Sequence, residues 1–172
     1  MKEIIIIAGP NGAGKTSFVN QFFPFEKEAL EFVNADEIAR SLSAAGLTRA
    51  AIDLRASREM LLRISNLVSS NAEFIFETTL ASLAYAQKIP HWQAQGYTVH
   101  IIYLRLPNAE AAVERVRRRV AAGGHSIPEA VIRSRYAKSL DYLERLYKPI
   151  VDEWYVWNSL EGDFKMSEAW DD

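Results

Sequence analysis

Short apolar runs alternate along this chain with longer stretches in which apolar residues recur every three or four positions. Ile4-Ile5-Ile6-Ile7-Ala8 is an unbroken run of β-branched residues, the pattern of a strand buried on both faces of a parallel sheet. Further strand-like runs are Glu31-Phe32-Val33-Asn34, Glu73-Phe74-Ile75-Phe76-Glu77, Thr98 to Leu104 and Trp154-Tyr155-Val156-Trp157. Between them the period lengthens to that of a helix. Residues 15–23 predict a short helix. Arg49 to Ser69 predicts a long amphipathic one, with Ile52, Leu61, Leu62 and Ile64 for its apolar face. Ser82 to Gln95 is a third, stopped near Gly96. Pro107-Asn108 opens a fourth from Ala109 to Val120. Pro128 starts another that runs to about Tyr147, because proline fits a first turn. Asp36 is placed to cap a helix whose body begins Glu37-Ile38-Ala39-Arg40.

Strands alternating with helices predict an α/β fold of three layers: a mostly parallel five-stranded sheet flanked by helices, with a helical lid over about 109–147. Right-handed crossovers place the C-terminal ends of the parallel strands on one edge, where chemistry is expected. No repeat, low-complexity tract or Pro/Ser-rich linker interrupts the 172 residues. One domain spanning 1–172 is the expectation.

Composition narrows this little. A net charge of −2 argues against charge-driven nucleic-acid binding. With no cysteine there is no disulfide, thiol nucleophile or Cys-ligated zinc. The apolar runs are far shorter than a membrane span, and the first strand begins within two residues of Met1. The expectation is a cytoplasmic protein with no membrane partner and no leader.

Candidate chemistry changes the picture most. The first strand feeds directly into Gly9-Pro10-Asn11-Gly12-Ala13-Gly14-Lys15-Thr16, followed by Ser17 and the short helix. Strand, glycine-rich turn and helix form the context in which GxxxxGK[ST] is a phosphate-binding loop. Its glycines let backbone N–H groups turn inward, and the helix N-terminus favours an anion. Lys15 is expected on the β- and γ-phosphates, and the Thr16 hydroxyl on Mg²⁺. A nucleoside triphosphate is the implied ligand.

Two carboxylates end strands on the same edge. Asp36 is a candidate general base for a hydroxyl acceptor, or a helix cap, or both. Glu77 suits a magnesium shell, or caps the next turn. Thr78 and Thr79 offer hydroxyls to an acceptor or to the turn itself. Arg115-Val116-Arg117-Arg118-Arg119 precedes Gly123-Gly124-His125, and Arg133 and Arg135 follow on the next helix. Arginines on two helices joined by a Gly-Gly hinge suit a lid that closes on a triphosphate, or else a solvated basic face. His125 could contact a phosphate or shape the turn. There is no LSGGQ-like signature, no NKxD base-reading motif and no paired aromatic RNA-stacking motif. The readings are a small-molecule kinase, an ATP-dependent switch acting through a protein partner, or a kinase of nucleosides or nucleic-acid ends.

The loop, Val33-Asn34-Ala35-Asp36-Glu37-Ile38-Ala39, Phe76-Glu77-Thr78-Thr79-Leu80, and Arg115-Val116 through Gly123-Gly124-His125-Ser126-Ile127-Pro128-Glu129 together resemble the zeta-toxin-like P-loop kinases. The resemblance is to their short branch, often labelled predicted ABC-type ATPase or kinase, and spans Ile4 to about Ser159. It implies a nucleotide-kinase fold, with ATP and Mg²⁺ as phosphoryl donor. It also implies Lys15 and Thr16 on phosphates and metal, Asp36 as base and Glu77 at the acceptor and metal site. Arg119 and one or both of Arg133 and Arg135 would clamp the phosphates. Better-known members phosphorylate UDP-N-acetylglucosamine and are silenced by a cognate antitoxin. The chain is shorter than those members, without a counterpart of their long C-terminal substrate region.

Overall fold

The computed structural model describes residues 1–43 and 46–171. In chain order the elements are β1 (Lys2–Ala8), α1 (Lys15–Phe22), α2 (Pro24–Ala29), β2 (Glu31–Asn34), α3 (Ala35–Leu42), α4 (Arg49–Ser69) and β3 (Phe74–Thr78). Then come α5 (Ala84–Ala94), β4 (Tyr97–Arg105), α6 (Ala109–Ala121), α7 (Glu129–Tyr142), a π-helical turn (Leu143–Tyr147), β5 (Glu153–Leu160) and β6 (Asp163–Ala169). The sheet order is β2-β3-β1-β4-β5-β6. The first five strands pair in parallel, and β6 returns antiparallel along β5.

The sheet therefore has six strands rather than five. β6 escaped the reading because Asp163–Ala169 carries scarcely any buried apolar surface. Its signal is the turn at Gly162, whose φ of 75° suits glycine. The short helix α2 was missed as well; it starts on Pro24 and buries no residue.

Both faces of the sheet are covered, and β1 shows why its isoleucine run is continuous. Ile4 and Ile6 join one core with Ile52, Ala56, Met60, Ile64 and Val68 of α4 and Ile89 and Trp92 of α5. Ile5 and Ile7 join the other with Phe18, Ile75, Ile102, Leu104, Val113, Val116 and Ile132. Each of the larger aliphatic or phenyl side chains among these contributes roughly 1.5–3 kcal/mol through removal from water. The stripe on α4 runs at a spacing of four from Ile52 to Val68, whereas Leu62, expected on the apolar face, is exposed.

β1 lies between β3 and β4, with the chain's crossovers leaving it in opposite directions. A crevice at the strand C-termini follows from this reversal, and the loop at residues 9–16 opens into it. The lid segment is more firmly seated than a hinged cover. Ala112, Val113 and Val116 of α6 belong to the sheet core, and Tyr103 of β4 hydrogen-bonds the buried Ser139 of α7 at 2.8 Å. The glycine pair closes α6: Gly124 N–H donates to the Arg119 carbonyl at 2.8 Å. A Cβ on Gly124 would lie 2.8 Å from that carbonyl oxygen. Among the described residues no helix is long and apolar enough to cross a membrane.

Candidate active site

The phosphate loop keeps its shape through glycines and through its own outward carbonyls. Gly9, Gly12 and Gly14 have φ of 150°, 84° and 83°, values that side-chain-bearing residues rarely adopt. A Cβ on Gly12 would come within 2.9 Å of the Arg115 Cβ. The Ala13 N–H donates to the Pro10 carbonyl at 3.1 Å, and Phe18 N–H to the Gly14 carbonyl at 2.9 Å. The Lys15 ammonium folds back onto the Gly9 and Pro10 carbonyls at 2.8 and 3.1 Å. Burial lowers the Lys15 pKa from its ordinary value; Glu77 and Asp36 oppose the shift, and Arg119 and Arg135 add to it. A cation held under such tension is satisfied by an anionic phosphate.

Strand register brings the acidic groups together. Asn34 of β2 stands beside Glu77 of β3, which stands beside Ile7 of β1. The Thr16 hydroxyl and the Asn34 amide both donate to Glu77 Oε2, at 3.0 and 3.1 Å. Burial raises the Glu77 pKa, with Lys15 and the Thr16 hydrogen bond opposing. Thr16 and Glu77 thus supply hard oxygen donors of the kind Mg²⁺ selects.

The helix cap lies two residues before the expected one. α3 begins at Ala35, and the Asn34 side chain accepts from the Asp36 N–H at 2.8 Å. Asp36 occupies the first turn, exposed to the crevice, so its carboxylate is not consumed by capping. Asn34 was overlooked as a site residue, although its place at the end of an apolar strand before Asp36 was a readable cap signal. At the end of β3 the Thr78 hydroxyl accepts from Leu80 N–H at 3.0 Å. Leu80 is fully buried at a φ of +61°, a strained conformation of about 1–3 kcal/mol beside the cleft.

Lys15, Thr16, Ser17, Asp36, Glu77, Thr78, Thr79, Arg119 and Arg135 line one cleft of about 1280 Å³ with Asn11, Gly12 and Gly14. Arg135 reaches Asn11 Oδ1 at a marginal 3.5 Å, and Arg119 has no side-chain hydrogen bond or ion pair among the described residues. Arg133 is not brought to the cleft. It is held between Glu110 and Glu129 at 2.6 and 2.8 Å, because it points off the face of α7 that carries Val131, Arg135 and Lys138. Arg117 pairs with Glu129, and Arg118 with Glu114 and Glu161. Arg115 is likewise occupied, by Ser159 and the Gly12 carbonyl. His125 is exposed. The far wall adds Met60, Ser57, Tyr85 and Lys138, which no motif marked. Tyr85 packs its ring on Phe76 at 4.8 Å, and its hydroxyl has no hydrogen-bond partner among the described residues. Burial raises its pKa to about 12, so it stays a neutral donor.

Residues 4–145 match the family model AAA_33, an AAA domain. An uncharacterized protein of Haemophilus influenzae is 28% identical over 135 residues, covering 78% of this chain and 92% of that protein. The crystal structure of AvrRxo1-ORF1:-ORF2 with ATP superposes with a TM-score of 0.79 at 18% identity, over 98% of this chain. This chain spans only 58% of that one. The PezAT toxin-antitoxin system of Streptococcus pneumoniae gives 0.70 at 15% identity, covering 98% of this chain and 72% of that one. A gluconokinase from Sinorhizobium meliloti 1021 gives 0.55 at 16% identity, covering 92% and 82%. At these identities the structural likeness is one of fold. The match over residues 4–145 makes the chain a member of the AAA domain family AAA_33, with the fold of the P-loop kinases.

Proposed function

We propose that the protein is an ATP- and Mg²⁺-dependent phosphotransferase of the zeta-toxin-like kind, moving the γ-phosphate to a hydroxyl of a small molecule. UDP-N-acetylglucosamine is the first acceptor to try. The observation that carries this reading is Asp36: an exposed carboxylate, free of capping, on the same cleft as Lys15, Thr16, Glu77, Arg119 and Arg135. In this reading Gly9 to Ser17 cradle the triphosphate, and Thr16 and Glu77 hold the metal. Mg²⁺, when bound, neutralises charge on the β- and γ-phosphates. Asp36 accepts the acceptor hydroxyl proton as that oxygen bonds to the γ-phosphorus. The bond from the γ-phosphorus to the β,γ-bridging oxygen breaks, and ADP leaves. Arg119 and Arg135 stabilise the transferring phosphoryl group. Thr78, Thr79 and the Tyr85 hydroxyl orient the acceptor.

The test is Asp36→Asn assayed with radiolabelled ATP against UDP-N-acetylglucosamine and a metabolite extract. Loss of a general base lowers transfer by about 10²- to 10⁴-fold while ATP affinity stays within about twofold. Undiminished transfer by the Asn variant removes Asp36 from the role of base. A second reading is an ATP-hydrolysing module that acts through a protein partner. What favours it is that two fold neighbours are described as two-component assemblies, AvrRxo1-ORF1 with -ORF2 and PezAT. A partner resembling a cognate antitoxin would bind differently in the presence of ATP and ADP, with no phosphorylated small molecule formed.

A further inference from the structure

The C-terminal hairpin of β5 and β6 lies wholly outside residues 4–145, yet it touches the phosphate loop from behind. Ser159, nearly the last residue of β5, is 2% exposed. Its hydroxyl donates to the Ala13 carbonyl at 2.6 Å. The same hydroxyl accepts from Arg115 Nη1 at 2.8 Å, and its backbone carbonyl accepts from Arg115 Nη2 at 2.9 Å. Arg115 Nη1 also lies 3.4 Å from the Gly12 carbonyl. Across the hairpin Ser159 pairs with Phe164, whose ring would meet a Cβ on Gly14 at 3.3 Å and packs edge-on against Phe18 at 5.2 Å. Arg118 ties the turn residue Glu161 to α6.

These contacts have a common logic. A loop that aims its N–H groups at phosphate must aim carbonyls outward, and an outward carbonyl left dry and unpaired destabilises that conformation. The Gly9, Pro10 and Gly14 carbonyls are satisfied within the loop and its helix. Among the described residues, those of Gly12 and Ala13, at the crown, are satisfied from outside the loop, by Arg115 and Ser159. The guanidinium polarises the Ser159 hydroxyl and so strengthens its bond to Ala13.

We propose that Ser159 and Arg115 are positioning residues of the nucleotide site, and that the β5–β6 hairpin sets triphosphate affinity by holding the crown of the loop in its phosphate-ready conformation. The inference rests only on the triphosphate-binding half of the function proposed above. Pre-organisation of this kind enters affinity because an untied loop must be ordered when the ligand arrives.

The experiment measures the dissociation constant of a fluorescent ATP analogue with Mg²⁺, and thermal melting, on the full chain. Ser159→Ala should weaken binding by about five- to tenfold, the scale of one buried hydrogen bond and its stranded partner. Arg115→Met should do the same by removing the donor to the Gly12 carbonyl and the cation that polarises the Ser159 hydroxyl. Ser159→Thr, which keeps the hydroxyl, should bind within about twofold of the native chain. Val156→Ala, in the core of the same strand and 0% exposed, is the control: it lowers the melting temperature by removing buried methyls and leaves affinity unchanged. If Ser159→Ala and Val156→Ala affect affinity equally, or neither does, the hairpin is merely structural and the proposal is overturned. A native chain that binds no nucleotide at all overturns the triphosphate reading itself, a separate result.

Discussion

The two sides of the cleft are built on opposite plans. On the phosphate-loop side every outward carbonyl from Gly9 to Gly14 but that of Asn11 has a protein partner, and the Lys15 ammonium is doubly bonded to the loop. Elsewhere on the cleft Arg40, Lys138 and the Tyr85 hydroxyl face it without side-chain partners among the described residues. The first plan suits a ligand whose shape is fixed and whose charge is predictable. The second leaves donors uncommitted, as recognition of one particular acceptor requires. The comparison teaches where binding energy is stored: pre-organised in the loop, latent in the far wall.

The largest expected effect comes from removing the loop's cation. Lys15→Ala should weaken ATP binding by about tenfold to a hundredfold, the scale of a charged hydrogen-bonding group. If the loss were under threefold by calorimetry, the loop side would not be the pre-organised one. Next is Gly12→Ala, which forces a methyl to within 2.9 Å of Arg115 Cβ at a φ of 84°. Strain of about 1–3 kcal/mol should appear as a lower urea midpoint together with weaker ATP binding. Arg119→Ala probes a cleft group that has no side-chain partner among the described residues. Transfer should fall about tenfold or more while melting shifts little, because no structural partner is lost. A large drop in stability would contradict the idea of an uncommitted group.

Smaller effects sharpen the contrast. Glu168 is held low in pKa by its hydrogen bond to Arg105, helped by Lys148. A depressed carboxylate stabilises the fold above its unfolded pKa, and that gain fades as pH falls through the lower, folded value. Glu168→Gln should therefore lower stability at neutral pH by under about 1 kcal/mol, given partial exposure. The difference from the native chain should close in acid, as pH-dependent melting can show. Smallest is Arg133→Gln. Bound to Glu110 and Glu129 at the surface, it should leave ATP affinity unchanged and the melting temperature close to that of the native chain.

Much of the fold was legible because its inner strands carry apolar runs and its loop motif sits between a strand and a helix. The isoleucines of β1 announced burial on both faces, and the five parallel strands followed. β6 was not legible, since an edge strand needs little apolar surface. The cleft residues Lys15, Thr16, Asp36 and Glu77 were readable as ends of strands and turns. Which arginines reach the cleft was not, because that depends on where α6 and α7 rotate against the sheet: Arg133 and Arg135 are two residues apart and face different ways. Asn34 was read as part of a segment and not as the group joining the α3 cap to Glu77, a role visible only once β2 and β3 are in register. Ser159 carries no motif, and only the close of β5 behind the loop reveals it.

The central position of β1 also has a consequence in time. Its partners are Phe74 to Thr78 and Tyr97 to Tyr103, all far along the chain. Its strand partners are all remote in sequence, so chain closure must precede the reward of pairing. During synthesis β1 emerges before β3 and β4 and waits for both before it is sheathed on either side. The crown of the phosphate loop waits longer still, until β5 delivers Ser159. A motif made well before β5 is thus completed only once β5 is in place.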